Sequence, residues 1–191
     1  DMKFVDVTGD GIVDGDDRTK LGSPDPDYTY GINLRAQYKN WEISAFIQGS
    51  KGNEIFNAMK THLYKFDETN KHKDMLNSWT PTNTNTNMPR LTGYDRNDTN
   101  RTSDRFVEDG SYMRLKNLMV AYNFPKRWLN RAKLSSAKLY FSGQNLWTIT
   151  DYTGADPEIG QISSTNYLSR GVDIGTYPQA KTYVVGVKLG F

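Results

Sequence analysis

The chain has 191 residues, is 36% hydrophobic and carries a formal net charge of +2, from 24 Lys and Arg against 22 Asp and Glu. That balance gives no footprint for nucleic acid or an acidic partner. The lack of cysteine removes disulfide and thiol chemistry, and no run approaches the roughly 18 apolar residues of a membrane helix. A mean hydropathy of −0.73 still suits a membrane β-barrel, whose strands are apolar only at alternate positions and whose lumen and loops are polar. The 12 Tyr, 8 Phe and 4 Trp suit interfacial girdles, and suit a carbohydrate-binding sandwich equally. The start Asp1-Met2-Lys3 shows no export signal, so an exported protein with this sequence is expected to be a fragment or a processed product.

The first motif is Asp6-Val-Thr-Gly-Asp-Gly-Ile-Val-Asp-Gly-Asp-Asp17. An EF-hand-type loop places oxygen ligands at positions 1, 3, 5, 9 and 12, a backbone carbonyl at 7 and glycine at 6. Asp6, Thr8, Asp10, Asp14, Asp17, the Ile12 carbonyl and Gly11 occupy those positions, and calcium is the expected ion. Ile12 is expected to turn inward as its carbonyl faces the metal. Thr8 in place of Asp or Asn, and Asp17 in place of a bidentate Glu, predict weak affinity. The alternative is an Asp/Gly-rich turn without metal, in which four crowded carboxylates would repel one another. A dockerin-like module would need a second such loop, and none exists here.

From Tyr28 the chain alternates with a period of two, the signature of strands with unlike faces. Tyr28, Tyr30, Ile32, Leu34, Ala36 and Tyr38 oppose Thr29, Gly31, Asn33, Arg35, Gln37 and Lys39. The pattern resumes at Trp41, at Leu118, at Ala137 and finally at Tyr183, Val185, Val187, Leu189 and Phe191. Five strands are predicted, at about 27–39, 41–49, 112–124, 134–149 and 180–191. Nine residues at about 3.3 Å each, tilted by about 40°, rise roughly 23 Å, close to the apolar band of a barrel.

Short connections at 39–40 and 125–133 alternate with long ones at 50–111 and 150–179, matching periplasmic and extracellular ends. Residues 1–26 then lie outside. Tyr38, Trp41, Tyr122, Phe124 and Phe191 fall at the short-turn end, and Tyr28, Tyr30, Trp147 and Tyr183 at the other, as two girdles would. Ending on an aromatic residue of an alternating strand suits a barrel whose last strand closes on its first and leaves no edge. Five strands cannot close, because small barrels need about 8.

In the long loop, Asn53 is expected to cap a helix striped by Ile55, Phe56, Met59, Leu63 and Phe66. His62 and His72, ten residues apart, fit no catalytic or metal motif. Trp79 and Tyr94 are candidates for stacking on a sugar or packing on a partner. No catalytic set emerges.

Five motifs in order carry a resemblance: residues 6–18; Gly22-Ser-Pro-Asp-Pro-Asp-Tyr-Thr-Tyr-Gly31; Phe106-Val-Glu-Asp-Gly-Ser-Tyr-Met-Arg-Leu-Lys-Asn117; Ser142-Gly-Gln-Asn-Leu-Trp-Thr-Ile-Thr150 with Gly154-Ala-Asp-Pro-Glu158; and Tyr177-Pro178. Together they resemble the C-terminal end of the SusC/RagA family of TonB-dependent outer-membrane receptors, over essentially the whole chain. The resemblance implies an all-β fold, the last five strands of a 22-stranded antiparallel barrel with an N-terminal plug. It also implies a non-enzymatic importer of oligosaccharides or peptides in the bacterial outer membrane, energised by TonB and lidded by a SusD-like surface lipoprotein. Plug and TonB box lie outside this sequence. The rival reading is a soluble calcium-dependent β-sandwich binding module.

Overall fold

The computed structural model describes residues 2–65, 70–95, 97–159 and 170–191. Its main feature is a five-stranded antiparallel sheet, in the order β1 (Tyr28–Tyr38), β2 (Trp41–Lys51), β5 (Tyr112–Asn123), β6 (Ser136–Thr150) and β8 (Thr182–Gly190). Each strand pairs with the next strand of this sheet in sequence, so the sheet is a meander. Among the described residues, β1 and β8 each pair on one side only. Among the described residues, no helix is long and apolar enough to cross a membrane.

The faces are inverted relative to a soluble sheet. Val185, Val187 and Leu34 are 72%, 61% and 54% exposed, whereas Glu42 and Arg114 on the opposite face are 8% and 3% exposed. Polar side chains line the enclosed face and aliphatic ones look outward, which a water-soluble sandwich would not tolerate and a barrel wall requires. On the enclosed face, Glu42 accepts from Arg35 at 2.7 Å and from Lys138 at 2.7 Å, joining β1, β2 and β6 across the lower sheet.

The turn at Lys39-Asn40 joins Tyr38 to its partner Trp41, with Lys39 at φ 52°. The lower aromatic band forms a continuous run. Trp41 meets Tyr122 at 5.0 Å between centroids, Tyr122 meets Phe124 at 5.4 Å, and Phe124 meets Trp128 at 6.0 Å. Trp128 comes from an element that the alternation does not reveal. Residues 125–133, expected as a plain short turn, hold the helix α2 (Lys126–Ala132). Pro125 pre-sets its entry, Lys133 ends it at φ 55°, and Leu129 is buried.

Two irregularities interrupt the alternation. Leu115 and Asn117 pair with Ile47 and Phe46 on one side and with Trp147 and Gln144 on the other, so Lys116 is an extra residue in β5. Asn145, at φ 51°, absorbs the mismatch in β6. Gly186 is the second departure from a simple reading. A side chain there would begin 2.3 Å from the Tyr140 ring that lies over it, so this enclosed position is not free space.

Above the sheet sits a smaller layer. β3 (Glu54–Asn57) pairs antiparallel with β4 (Val107–Asp109) and parallel with β7 (Val172–Asp173). The predicted loop helix therefore begins later than its apolar stripe. Ile55 and Phe56 belong to β3, and α1 (Ala58–Leu63) is capped by Asn57, whose side chain accepts from the Lys60 amide. Asn53 instead accepts from the Ser50 hydroxyl. Strand pairing won over helical spacing because β4 and β7 supply partners from distant sequence. Tyr64, Met75 and Phe106 form a small core with Phe56, Leu63 and Met88 against it. Phe66 lies outside the described residues.

The inverted faces make a test. Val187→Arg and Leu139→Arg put a cation against lipid and should each cost roughly 2–4 kcal/mol near the midplane, whereas Ser142→Arg, on the enclosed face, should leave the folded fraction unchanged. Heat-modifiable migration of the full receptor measures that fraction, and equal losses in all three would overturn the face assignment.

Candidate functional site

The aspartate loop is held by carboxylate-to-amide hydrogen bonds. Asp6 accepts from Gly9 N–H at 2.6 Å and Gly11 N–H at 2.8 Å, Asp10 from Ile12 N–H at 2.8 Å and Asp14 from Asp16 N–H at 2.8 Å. Asp17 reaches back across the loop to the amides of Val7, Thr8 and Asp14 at 2.8, 3.1 and 2.9 Å. Gly11 takes φ +85°, the left-handed turn expected at the sixth position. The amide bonds from Thr8 and Asp14 lead the lowering of the Asp17 pKa, against a smaller opposing effect of burial. Thr8 Oγ1 lies 3.3 Å from both Asp6 and Asp17, so the fold brings three of the six predicted ligand residues together.

Ile12 is 63% exposed rather than turned inward. Among the described residues, no three Asp, Glu, His or Cys side chains converge as a metal cluster. Asp6 Oδ2, Asp10 Oδ1 and Asp14 Oδ1 each accept one amide and keep a lone pair for a second partner, whereas Asp17 Oδ1 already accepts the Val7 and Thr8 amides and the Thr8 hydroxyl.

The segment holding this loop is tied to the upper layer. Asn97 donates to the Met2 carbonyl, Arg101 stacks 3.5 Å over the Phe4 ring, and Arg170 meets Asp25 at 2.5 Å.

A second site was not singled out as such in the sequence. Arg114 of β5, 3% exposed, donates to Thr148 Oγ1 at 2.9 Å, to Glu158 at 2.9 Å and to Asp156 at 2.5 Å. Lys116, the extra residue of the bulge, reaches Glu158 at 2.6 Å. Asp156 also accepts the Gln179 amide at 2.9 Å. Burial acts to raise the Asp156 pKa, but the bonds from Arg114 and from the Gln179 and Glu158 amides outweigh it and hold it low. Nearby, the Tyr152 hydroxyl donates to Asp173 at 2.5 Å, and Glu108 binds Lys60 at 2.8 Å and the Thr153 hydroxyl at 2.7 Å.

In the upper layer Tyr64 donates to Asp74 at 2.8 Å, and burial followed by this bond pushes its pKa up to about 12. His72 pairs with Asp74 at 3.1 Å, and His62 lies on α1. The histidines are therefore structural neighbours of loop residues rather than a reacting pair. A polar cleft of about 350 Å³ is lined by Asp74, Asn77, Asn85, Thr86, Asn87 and Met88. Trp79 and Tyr94 remain 40% and 73% exposed.

An antiparallel sheet with an aliphatic outer face, aromatic bands and a charged enclosed face is the wall of an outer-membrane barrel. Comparison with family models gives no match. The chain is 42% identical over 191 residues to TonB-dependent receptor P3 of Formosa agariphila, covering 98% of this chain and 19% of that protein. It is 26% identical over 189 residues to TonB-dependent receptor SusC of Bacteroides thetaiotaomicron, covering 98% and 17%. Among solved structures, the RagAB peptide transporter matches with a TM-score of 0.74 and 30% identity over 89% of this chain and 18% of that one. The RagAB peptide importer in its closed-closed state matches at 0.74 and 28% over 95% and 20%.

Over nearly its whole length the chain is similar to one segment of TonB-dependent receptors, SusC and the RagAB transporter among them, which are proteins of the outer membrane. It spans about a fifth of the length of the curated relatives it matches.

Removing one anchor of the aspartate loop should act locally. Asp6→Ala deprives the Gly9 and Gly11 amides of their acceptor, so hydrogen exchange should accelerate across residues 7–14 while β1 and β2 keep their protection. Unchanged exchange in the loop would refute this account of its fold.

Proposed function

We propose that this chain forms part of the wall and outer mouth of a TonB-dependent importer of oligosaccharides or peptides that works with a SusD-like surface lipoprotein. The observation that carries the reading is the pairing of an aliphatic outer face with a charged, ion-paired enclosed face. Such a sheet needs lipid on one side and a polar passage on the other. The strands are a segment of a 22-stranded barrel, with plug and TonB box supplied by the rest of the polypeptide. The similarity to the RagAB importer and to SusC supports the partnership with a surface lipoprotein.

The reading is tested in a strain that carries the full receptor gene. Deleting the gene should abolish growth on one nutrient class, offered as a defined oligosaccharide pool or a defined peptide pool. Restoring the gene should restore growth, and the class affected names the substrate. Normal growth on both pools, with the receptor folded in the outer membrane before deletion, would refute the importer reading.

The aspartate loop is proposed to hold one calcium ion through Asp6, Thr8, Asp10, Asp14, Asp17 and the Ile12 carbonyl. What supports it is the liganding pattern together with the left-handed Gly11. The ion supplies charge neutralisation, while the residues themselves wrap the backbone. Calorimetry on the full receptor should detect one calcium bound at millimolar concentration, and Asp10→Ala should abolish it while leaving the heat-modifiable barrel intact. No heat of binding at that concentration would leave the loop a metal-free turn.

A further inference from the structure

Two motifs, Tyr112-Met-Arg-Leu-Lys-Asn117 and Gly154-Ala-Asp-Pro-Glu158, stand 42 residues apart from Arg114 to Asp156, yet they meet in one buried cluster. We propose that Arg114 and Lys116 are positioning residues that clamp both flanks of the β6–β8 connection, residues 152–158 and 171–179, against the enclosed face of the wall, fixing those flanks as a rigid margin of the passage. The near flank is held through Asp156 and Glu158. The far flank is held through the Gln179 amide, which donates to the oxygen of Asp156 that Arg114 does not use. One aspartate therefore ties both flanks to one arginine.

Three features separate this from an ordinary surface ion pair, which contributes little. The Arg114 and Asp156 side chains are 3% and 5% exposed, so neither can exchange its partner for water without opening the flank. The guanidinium uses its fork, contacting Asp156, Glu158 and Thr148 from three different nitrogens, a geometry a lysine cannot copy. The bulge has a purpose in this arrangement. Lys116 follows Arg114 at a period of two and so shares its enclosed face, where it reaches Glu158, and the extra residue lets the alternation restart at Asn117 with Leu118 again on the lipid side. The flanks are also joined to each other by Tyr152 and Asp173. Phe56 N–H donates to the Gly171 carbonyl at 2.8 Å, binding the far flank to β3.

The charged and titratable groups facing Asp156 are Arg114, Lys116 and Tyr112 of β5 and Glu158 of its own segment. Because the Asp156 pKa is depressed in the folded state, the clamp is fully present above the ordinary aspartate value near 3.8 and is lost as pH falls through the lower folded value.

The test uses the full receptor with a nitroxide label on Ala155→Cys, an exposed site beside Asp156, any other cysteine in the receptor being replaced. The label should give an immobilised spectrum at neutral pH. It should become mobile in Arg114→Met, show intermediate mobility in Arg114→Lys, and become mobile in the unsubstituted clamp only as pH drops below about 3.8. Heat-modifiable migration is read alongside to show that the barrel itself stays folded. An immobilised spectrum in folded Arg114→Met would overturn the clamp. If that variant does not insert, the pH titration and Glu158→Gln decide in its place, and a spectrum unchanged in both would overturn it equally. The clamp rests on the importer reading only in treating the enclosed face as a passage. Label mobility does not depend on transport, so failure of the growth test and failure of the clamp are distinguishable.

Discussion

The constraint on which everything else depends is that backbone amides and carbonyls facing lipid find no water. Each must be paired within the protein, at several kcal/mol for every failure. An antiparallel meander satisfies this with consecutive strands, and the pairing runs unbroken along β1 against β2 over eleven residue pairs. Once the backbone is paired, side chains are forced to alternate between two solvents, and the composition follows. Aliphatic residues face outward, aromatic residues collect at the ends of the strands, and charge is confined to the enclosed side. The overall hydropathy is low because only one residue in two over part of the chain must be apolar.

Confining charge to the enclosed face creates a second problem, since a buried ion without a partner is costly. The wall meets it with compensated clusters at two heights. Near the short turns, Glu42 answers Arg35 and Lys138. Near the loops, Arg114 and Lys116 answer Asp156 and Glu158. The lower cluster joins strands to strands and stiffens the sheet. The upper one joins a strand to the flanks of a connection, so it carries the order of the sheet beyond the ends of the strands. The same chemistry thus does different work according to whether the partner lies in the sheet or outside it.

How much was legible in the sequence follows from the range of each interaction. Strand alternation is local, and the five strands and their unequal connections could be read from residues such as Tyr28 to Tyr38 without knowing the fold. The antiparallel, all-β architecture came with them. The start of α1 was misread because Ile55 and Phe56 satisfy helical spacing as well as a strand. Only Glu108 and Val172, distant in sequence, decide between the two. Helix α2 could have been found, since Pro125 followed by Lys-Arg-Trp-Leu-Asn-Arg-Ala is a helix start followed by good helix formers. The bulge at Lys116 and the pairing of Arg114 with Asp156 had no local signal beyond an alternation that falters near Leu115 and Asn145. In the aspartate loop, Gly11 was placed correctly by its turn requirement, whereas the exposure of Ile12 depends on what packs beside it, which the loop sequence does not contain.

The outer layer shows why a segment this polar holds a defined shape at all. Its small core of Tyr64, Met75 and Phe106 buries too little apolar surface to order some sixty residues against their conformational entropy. The deficit is met by spreading anchors along the chain: β3 and β4 pair, β7 joins them, Arg101 covers Phe4, and Glu54 accepts the Ser23 amide at 2.8 Å. Several of these anchors end, within a few residues, on β2 or β5, since β3 directly follows β2 and β4 directly precedes β5. Lys51 carries the Asp27 amide at 2.9 Å, and Asn53 carries the Gly110 amide at 2.8 Å. The loops thus borrow their order from a sheet that lipid holds in place, and segments that touch the outside medium need only enough packing of their own to choose among the few conformations those anchors allow.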